Sequence, residues 1–479
     1  MRSALLALLL SPAAHAAGTV CDKLTEMTIP NVTVRAAAMA HSAHGADSLP
    51  AFCRIYAVAR PVPDSEIDFE VWIPSTWNGK FEGVGNGGYS GALSYSAMVQ
   101  ALKLGYATAS HNTGHPGDGL KFGQGHPEKV IDYAYRAVHV MTENAKLLIR
   151  AHKGRFADKS YFVGCSAGGH QALSEAQRYP DDYDGIVAGA PASNRVRQTF
   201  GFLHSWRALH KDDGTPIIPL AKLALVTKAV IEACDARDGL KDGLIEDPRR
   251  CPVPNLSKIL TAEEAAAVRH GWTGAEGVFT GWPMGSENSG NQGWGQYLVN
   301  PTEPMRADVF RYFLFHDPNW DWRTADMTRD LAYANQKLAF LTAVDPNLEP
   351  FRRHGGKLLM YAGWADPVVP PQDTAAYFEQ VSKTMGSNTK AFARLFMAPG
   401  MGHCGGGVGP NQFDTVKALD EWVTKGIAPD TLIASRAGRT RPLCPYPQVA
   451  RYKGTGSIDE AANFSCQYRG TPRSIDKLH

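Results

Sequence analysis

Strand-like and helix-like segments alternate along this chain, and no other feature constrains its fold as strongly. Residues 67–73 are apolar at every second position, 106–110 form another strand-like segment, and 130–152 have the apolar spacing of a helix. A short apolar strand follows at 161–164, and strand-like segments return at 357–362 and 393–398. Such alternation predicts an α/β fold with a mostly parallel sheet covered by helices.

A catalytic motif lies at one strand-to-helix junction of this pattern. The letters G-C-S-A-G at 164–168 match G-x-S-x-G, with a predicted strand before them and a predicted helix after them. This is the context of a nucleophile elbow, whose serine sits on a tight turn at the top of an α/β-hydrolase sheet. We therefore predict Ser166 as the nucleophile of a serine hydrolase, with the backbone amide of Ala167 as one oxyanion donor.

Two further residues fit the partners that such a serine needs. A serine hydroxyl is a weak nucleophile at neutral pH, and it requires a histidine base that an acidic residue orients. In the α/β-hydrolase order these follow the serine as acid and then histidine. Asp366 and His403 each lie just beyond a predicted strand, and we predict them in these roles. The alternative is that Asp366 caps a helix and His403 is an ordinary histidine.

A glycine-rich segment at 83–88 is the candidate for the second oxyanion donor, through Gly87 and Gly88. It also spells G-x-G-x-x-G, the fingerprint of dinucleotide-binding proteins. No convincing helix begins after it and no acidic residue lies about 20 positions further on, as that fingerprint requires. An NAD-dependent oxidoreductase is therefore a weak alternative, and a plain tight turn is another.

The amino terminus predicts export. Residues 1–16 combine a basic start, an apolar run and a small-x-small pattern, which together are typical of a cleaved signal peptide. The apolar run is much shorter than the roughly 20 residues that span a bilayer, so no membrane anchor is expected. The formal net charge is only +2, with no basic block, which argues against nucleic acid as a partner. We expect a periplasmic or extracellular protein whose oligomeric state the sequence does not indicate.

Eight cysteines in an exported chain predict four disulfides. Three pairs are close in sequence, and they leave one long-range pair that would join the neighbours of Ser166 and His403. Other pairings remain possible on the sequence alone. The expected pairs are Cys21 with Cys53, Cys234 with Cys251, Cys444 with Cys466, and Cys165 with Cys404.

The β-α pattern is interrupted between about residues 195 and 343. This stretch is rich in Trp, Gly, Asn and Asp, and its strand signals are weak. Because the alternation resumes afterwards, one domain with an insertion fits better than two consecutive domains.

Taken together, Cys165-Ser166, Asp366 and His403-Cys404 resemble the tannase and feruloyl esterase family, which also contains mono(hydroxyethyl) terephthalate hydrolases. The resemblance extends over nearly all of the mature chain. It implies an α/β-hydrolase domain formed by residues 17–193 and 343–479, with a lid domain at 194–342.

The resemblance also implies hydrolysis of small aromatic esters through an acyl-enzyme. Feruloyl-type esters are the expected substrates, with galloyl esters of tannins or terephthalate monoesters as alternatives. A calcium-stabilised binding protein without catalytic activity is the alternative from a different class.

In the family the lid holds a structural calcium ion, and residues 234–244 resemble that loop. Three carboxylates with interleaved glycines suit a hard cation that prefers oxygen ligands, although a solvated acidic turn would have the same composition. The resemblance implies that backbone carbonyls of two leucines complete the ligand set. The expected ligands are Asp235, Asp238, Leu240, Asp242 and Leu244.

Substrate contacts are the least constrained prediction. Trp282 and Trp294 are candidates for an aromatic slot, although they fit the core of the lid equally well. Arg306, like Arg311 and Arg323, is a candidate to bind a substrate carboxylate, and a surface ion pair is the alternative for each.

Overall fold

The structure is a computed structural model that describes residues 20–289 and 292–468. The predicted signal peptide lies outside the described residues. The strands are β1 (Val32–Ala40), β2 (Phe52–Ala59), β3 (Ile67–Pro74), β4 (Lys80–Val84), β5 (Ala107–His111), β6 (Lys159–Cys165), β7 (Gly185–Gly189), β8 (Lys357–Gly363), β9 (Ala393–Ala398), β10 (Leu432–Arg436), β11 (Arg439–Leu443), β12 (Gln448–Tyr452) and β13 (Phe464–Tyr468).

Helices connect these strands and fill the long segment between β7 and β8. They are α1 (Tyr95–Lys103), α2 (Pro127–Ile131), α3 (Ala137–Lys153), α4 (Ala167–Arg178), α5 (Arg195–Leu209), α6 (Leu220–Cys234), α7 (Ala262–Thr273), α8 (Met327–Lys337), α9 (Glu349–Arg353), α10 (Pro371–Met385), α11 (Thr389–Phe392) and α12 (Thr415–Lys425). Single turns of π-helix occur at Asp132–Arg136, Gly295–Val299 and Val309–Leu314.

The first nine strands form one sheet in the order β1-β2-β3-β5-β4-β6-β7-β8-β9. The pairs β1–β2, β2–β3 and β3–β5 are antiparallel, whereas every neighbouring pair from β5 to β9 is parallel. Because the carboxyl ends of parallel strands lie at one edge of the sheet, β6, β8 and β9 deliver the residues that follow them to the same edge. The mostly parallel α/β sheet agrees with the prediction from the alternating pattern.

Strand β3 is buried on both faces, although alternation of apolar residues is typical of a strand that is buried on one face only. Val71 packs with α3 in one core cluster, whereas Trp72 packs with α1 in another. Glu70 is only 3% exposed, and its carboxylate accepts hydrogen bonds from Arg54 at 2.6 Å and from the Trp72 indole at 2.7 Å. Glu70 is therefore charge-paired within the protein rather than hydrated.

The predicted helix at 130–152 is divided by the π-helical turn Asp132–Arg136. The buried Asp132 carboxylate accepts hydrogen bonds from Ser65 at 2.6 Å and from Arg136 at 2.5 Å. Such turns occur frequently at functional sites. Here the turn carries Tyr133, whose hydroxyl donates to the carbonyl of Gly88 at 2.9 Å.

The segment between β7 and β8 is an insertion with a core of its own. Asn194 and Thr342 form an isolated antiparallel bridge where the insertion leaves and rejoins the sheet, and the Ala343 amide donates to the Ser193 carbonyl at 2.8 Å beside it. Asn194 also caps α5 by accepting from the amide of Arg197 at 3.0 Å. The bridge joins the two residues at which the sequence analysis places the limits of the predicted lid, 194 and 342.

Four disulfides join the described cysteines in the expected pairs. Their Cα atoms are 5.2–5.9 Å apart, within the ordinary range for such bridges. Within residues 20–289 and 292–468, none of the helices combines the length and the apolar character needed to cross a bilayer. The pairs are Cys21–Cys53, Cys165–Cys404, Cys234–Cys251 and Cys444–Cys466.

Candidate active site

Ser166 occupies a sharp turn between β6 and α4. Its φ of 64° and ψ of −117° form a combination that residues other than glycine rarely adopt. The turn is possible because Gly164 and Gly168 pass each other without side chains. A Cβ on Gly164 would lie 2.3 Å from the carbonyl oxygen of Gly168. Ser166 lies at the carboxyl edge of the sheet and is half-buried rather than enclosed.

Asp366 and His403 meet beside this turn. His403 Nδ1 lies 2.7 Å from Asp366 Oδ2, and the carboxylate is fully buried. The other carboxylate oxygen accepts from the amides of Val368 at 2.8 Å and Val369 at 2.9 Å. Because a carboxylate only accepts hydrogen bonds, Nδ1 must carry the proton, which leaves Nε2 of the neutral ring as the basic nitrogen. This arrangement can orient a general base.

The disulfide Cys165–Cys404 ties the nucleophile turn to the histidine loop. It spans 239 positions, and its Cα atoms are 5.9 Å apart. Each cysteine is the immediate neighbour of a predicted catalytic residue, Ser166 or His403. Two loops that follow different strands are therefore held together by a covalent link next to Ser166 and His403.

The glycine-rich loop after β4 packs directly on the nucleophile turn. A Cβ on Gly85 would lie 2.6 Å from the Cα of Gly168, so position 85 requires glycine, and a Cβ on Gly168 would be a tight contact at 3.2 Å from the Asn86 carbonyl oxygen. Asn86 and Gln171 exchange hydrogen bonds across this contact. The Asn86 amide donates to Gln171 Oε1 at 3.0 Å, and Gln171 Nε2 donates to Asn86 Oδ1 at 3.2 Å. Sequence reasoning missed this pair, which fixes the loop to helix α4.

Gly87 and Gly88 are the exposed residues directly beyond that contact. Their carbonyls are engaged, since Gly87 accepts from the amide of Ser90 at 3.0 Å and Gly88 from the Tyr133 hydroxyl at 2.9 Å. Ala167 is the first residue of α4, where a backbone amide has no partner within the helix. The glycine-rich loop contacts α4 through Gly85 and Asn86, and the oxyanion roles of Ala167, Gly87 and Gly88 stay predictions.

The predicted calcium loop follows α6 in the lid. Asp235 accepts from the amide of Gly243 at 3.0 Å, Asp238 from Leu240 at 2.9 Å, and Asp242 from Leu244 at 3.1 Å. Within the described ranges, no three His, Cys, Asp or Glu side chains are grouped in a way that could hold a metal ion. The donor types suit calcium, but the side chains do not form a metal cage in this arrangement.

Arginines from the C-terminal hairpins contact the same loop. Arg441 donates to the Asp242 carboxylate at 2.5 Å, and Arg439 donates to the Asp242 carbonyl at 3.0 Å. Arg451 also donates to the carbonyl of Asp238. These cations offset part of the negative charge of the loop, for which the sequence analysis considered only a calcium ion. The local sequence pattern did not indicate the arginines, because they lie about 200 residues away.

Two predicted substrate contacts require correction. Trp282 is 1% exposed and Trp294 is 0% exposed, and both lie in the apolar core of the lid. Their indole nitrogens donate within the lid, to Ser205 at 2.8 Å and to Ser286 at 3.0 Å. A buried indole with a satisfied N–H is a core residue, so we remove both from the substrate-binding set.

The three candidate lid arginines have different surroundings. Arg311 donates to Glu303 at 2.6 Å and to Asp308 at 2.9 Å, and Arg323 donates to Asp321 at 3.2 Å. Both are ordinary ion-pair partners. Arg306 instead donates to the neutral Gln198 side chain at 2.5 Å and lies over the Tyr89 ring near the glycine-rich loop.

Comparison with known proteins identifies the family. A family model described as tannase and feruloyl esterase matches residues 53–467. The chain belongs to the tannase and feruloyl esterase family. An uncharacterised esterase of Xanthomonas campestris is 34% identical over 94% of this chain and 91% of its own length. A probable feruloyl esterase B-1 of Aspergillus fumigatus is 32% identical over 87% of this chain and 85% of its own.

Solved structures of the family have the same fold. Feruloyl esterase B of Aspergillus oryzae superposes with a TM-score of 0.88 at 28% identity, covering 94% of this chain and 99% of that one. A tannin acyl hydrolase of Aspergillus niger superposes with a TM-score of 0.74 at 19% identity, covering 94% of this chain and 95% of that one. The resemblance and the α/β-hydrolase-like fold predicted from the sequence are thereby confirmed.

The Asp366–His403 contact leads to a direct test. We expect Asp366→Asn to lower kcat about 10³- to 10⁴-fold, because an amide cannot hold the imidazole tautomer that leaves Nε2 basic. Hydrolysis of a chromogenic ester such as p-nitrophenyl acetate measures the change. The matched control is Asp373→Asn, since Asp373 contacts Thr280 of the lid instead. A comparable loss in both variants would contradict the assigned role.

The Cys165–Cys404 bridge leads to a second test. We expect the double variant Cys165→Ala/Cys404→Ala to lose about 10²-fold in kcat, because small displacements of the base from the nucleophile are costly. The control is Cys444→Ala/Cys466→Ala, which removes a bridge within the C-terminal hairpins. Both variants should have a lower Tm by calorimetry. Equal kcat in the two variants would show that the Cys165–Cys404 bridge contributes to stability alone.

Proposed function

We propose that this protein is a serine carboxylic ester hydrolase that cleaves aromatic esters of the feruloyl type. Ester hydrolysis follows from its family, and relatives named feruloyl esterase and tannin acyl hydrolase support an aromatic acyl group. The observation that carries the proposal is the 2.7 Å contact between His403 and the buried Asp366, held beside the strained turn of Ser166.

The reaction follows from these positions. His403 Nε2 takes the hydroxyl proton of Ser166 as its oxygen attacks the ester carbonyl carbon, and a tetrahedral oxyanion forms. The carbon–oxygen bond to the alcohol then breaks while His403 returns the proton to the departing oxygen, which leaves an acyl-enzyme. A water molecule repeats the two steps, releases the carboxylic acid and restores Ser166. Asp366 holds the imidazole throughout and stabilises its positive charge.

The oxyanion would accept hydrogen bonds from two sides. The Ala167 amide at the start of α4 supplies one donor, and an amide of Gly87 or Gly88 supplies the other. The Asn86–Gln171 hydrogen bonds support this assignment because they fix the loop against the helix that carries the first donor. Donors held in place before the reaction need no reorganisation as charge develops.

Other substrates and classes remain as alternatives. Galloyl esters and terephthalate monoesters would use the same catalytic groups, and a non-catalytic binding protein would leave them unused. Nucleotide binding has less support, because the G-x-G-x-x-G segment contacts the nucleophile turn and α1 begins only at Tyr95. The ester substrates thus share one set of catalytic groups, whereas the binding protein would have the same fold without hydrolysis.

Export is part of the proposal. Four disulfides and no free cysteine among the described residues are typical of proteins that fold in an oxidising compartment. This composition supports the prediction that residues 1–16 are a signal peptide.

A structural calcium ion in the lid is also proposed, on the chemistry of Asp235, Asp238 and Asp242. If calcium binds there, chelation should lower the Tm by about 5 °C, and added calcium should restore it. Asp235→Asn should remove this response, whereas Asp212→Asn, at an exposed lid position, should keep it. Scanning calorimetry with EDTA, calcium and magnesium measures the effect. No response in the wild type would mean that the arginine contacts alone stabilise the loop.

The substrate class is tested by initial rates on methyl ferulate, methyl gallate and mono(2-hydroxyethyl) terephthalate. We expect hydrolysis of methyl ferulate to be preferred, and Ser166→Ala to lower kcat about 10⁶-fold, which leaves only the residual catalysis of the oxyanion donors and binding. The matched control is Ser174→Ala, which removes a buried hydroxyl without a hydrogen-bond partner from the same helix. A preference for either other ester would reassign the substrate, and inactivity on all three would favour the binding protein.

A further inference from the structure

A buried segment after β5 supports the glycine-rich loop. This segment, residues 111–115, begins at the last residue of β5, and its two histidines, His111 and His115, are both 0% exposed. Asn86 of the loop donates to the His111 carbonyl at 2.7 Å. A Cβ on Gly91 would lie 2.0 Å from the His115 carbonyl oxygen, so the two backbones are in direct contact. Neither histidine takes part in the proposed reaction.

The ring nitrogens of these histidines bind the protein itself. His111 Nδ1 accepts from the amide of Thr113 at 3.0 Å. The two nitrogens of His115 lie 3.0 Å from the Tyr89 carbonyl oxygen and 3.1 Å from the Thr113 hydroxyl. Within residues 20–289 and 292–468, no three His, Cys, Asp or Glu side chains are grouped to hold a metal ion. The H-x-x-x-H spacing therefore serves contacts within the fold.

The hydrogen bond between His115 and Tyr89 has a defined direction. A carbonyl oxygen only accepts hydrogen bonds, so Nε2 of His115 carries a proton and donates it. The ring is stacked on Phe122 with the centroids 3.6 Å apart. Burial lowers the pKa of His115, which favours the neutral ring at neutral pH. His115 thus has the properties of a fixed donor rather than of a group that exchanges protons.

Two successive peptide groups of the loop are held through their carbonyls. Gly88 accepts from the Tyr133 hydroxyl at 2.9 Å, and Arg195 donates to that hydroxyl. The next residue, Tyr89, accepts from His115. In a planar trans peptide group the N–H points away from the C=O, so a donor on the carbonyl also fixes the direction of the amide. The directions in which the amides of this part of the loop point therefore depend on these two contacts.

The supporting segment holds an unfavourable backbone conformation. Thr113 has a φ of 58°, which a β-branched residue rarely adopts, and it is only 1% exposed. Its hydroxyl lies 3.3 Å from the Ser90 carbonyl oxygen, on the loop, as well as beside His115. Such strain persists only where the surrounding contacts over-determine the backbone, and it is frequent at functional sites. A segment that only filled the core would need no contacts to the loop.

We propose that His115 is a positioning residue for the oxyanion site, because its Nε2–H holds the Tyr89 carbonyl and thereby directs the amides of the loop at the developing oxyanion. This inference rests on the proposed esterase function and on the oxyanion role of Gly87 or Gly88. In this role His115 neither touches the ester nor transfers a proton. It orients the donors before the reaction, which is the condition for electrostatic stabilisation of the transition state.

A transition-state analogue reports on the oxyanion site directly. When the Ser166 oxygen adds to the carbonyl carbon of an aryl trifluoromethyl ketone, His403 takes the hydroxyl proton and the ketone oxygen becomes an oxyanion. The KM of an ester depends much less on the oxyanion donors, since the ester carbonyl carries no full charge before attack. A misdirected donor should therefore lower kcat and weaken ketone binding by the same factor, with little change in KM.

The test compares His115→Phe with His115→Gln. Phenylalanine keeps an aromatic ring against Phe122 but removes the donor, whereas the glutamine amide can still donate to the Tyr89 carbonyl. We expect His115→Phe to lower kcat for p-nitrophenyl acetate about 10- to 100-fold and to raise the Ki of the ketone equally, since misdirecting a donor should cost less than losing it. His115→Gln should recover most of both losses. Rates are expressed per active site, counted by titration with an organophosphonate.

His210→Phe is the matched control. His210 is also a buried histidine, stacked on Trp206 with the centroids 4.2 Å apart, and its Nε2 lies 2.9 Å from the carbonyl oxygen of Val299 in the lid. Its loss should lower the Tm by calorimetry, while kcat per active site and the ketone Ki stay unchanged. If His115→Phe does not fold, Thr113→Val removes the hydroxyl beside Nδ1 and should change kcat and Ki in the same direction.

Three results would overturn the proposal. Wild-type kcat and Ki in folded His115→Phe would show that the donor is not needed. A fall in kcat without a matching rise in the ketone Ki would assign the effect to another part of the site. Equal losses in His210→Phe would assign them to stability. In each case an active wild type keeps the esterase and rejects only the role of His115, whereas a wild type that neither hydrolyses esters nor binds the ketone rejects both proposals.

Discussion

The close passage of helix α4 past its neighbours is the constraint on which the active site depends. Gly168 touches the glycine-rich loop, and a Cβ on Gly169 would lie 2.3 Å from the carbonyl oxygen of Gly189 at the end of β7. Backbones that pack at this distance leave no room for side chains. A methyl group added at Gly169 would push the turn at Ser166 and helix α4 away from strand β7. The strained conformation of Ser166 persists because this packing on both sides holds it.

Hydrogen bonds and a disulfide extend that rigidity to the other catalytic loops. Two backbone amides hold Asp366, and the lid residue Gln292 accepts from the His403 amide at 2.9 Å. The bridge beside His403 attaches its loop to the nucleophile turn. The groups that would act on an ester are therefore fixed by contacts from the sheet, the lid and the cysteines together, which is the preorganisation that electrostatic catalysis requires.

The sequence predicted those parts of the site whose signal is local. A strand, a G-x-S-x-G turn and a helix follow one another within about 20 residues, and β8 and β9 are short apolar runs that end next to Asp366 and His403. Long-range features had no such signal. The local sequence around Trp282 is equally compatible with a lid core and with a substrate-binding slot. The sequence around Arg195 matches no motif. Only the fold shows which ring or carboxylate each side chain meets.

The inserted segment shares hydrogen bonds with the loops that carry the predicted catalytic residues. Gln198 joins Arg306 to the segment that holds Asp366, so one lid side chain contacts both a cation and the loop of the acid. Elements that only shape a pocket need no such link. Among the lid arginines that the sequence singled out, Arg311 and Arg323 contact carboxylates, whereas Arg306 contacts the neutral Gln198. The position of the predicted acid therefore depends on contacts with the inserted segment as well as on its own strand.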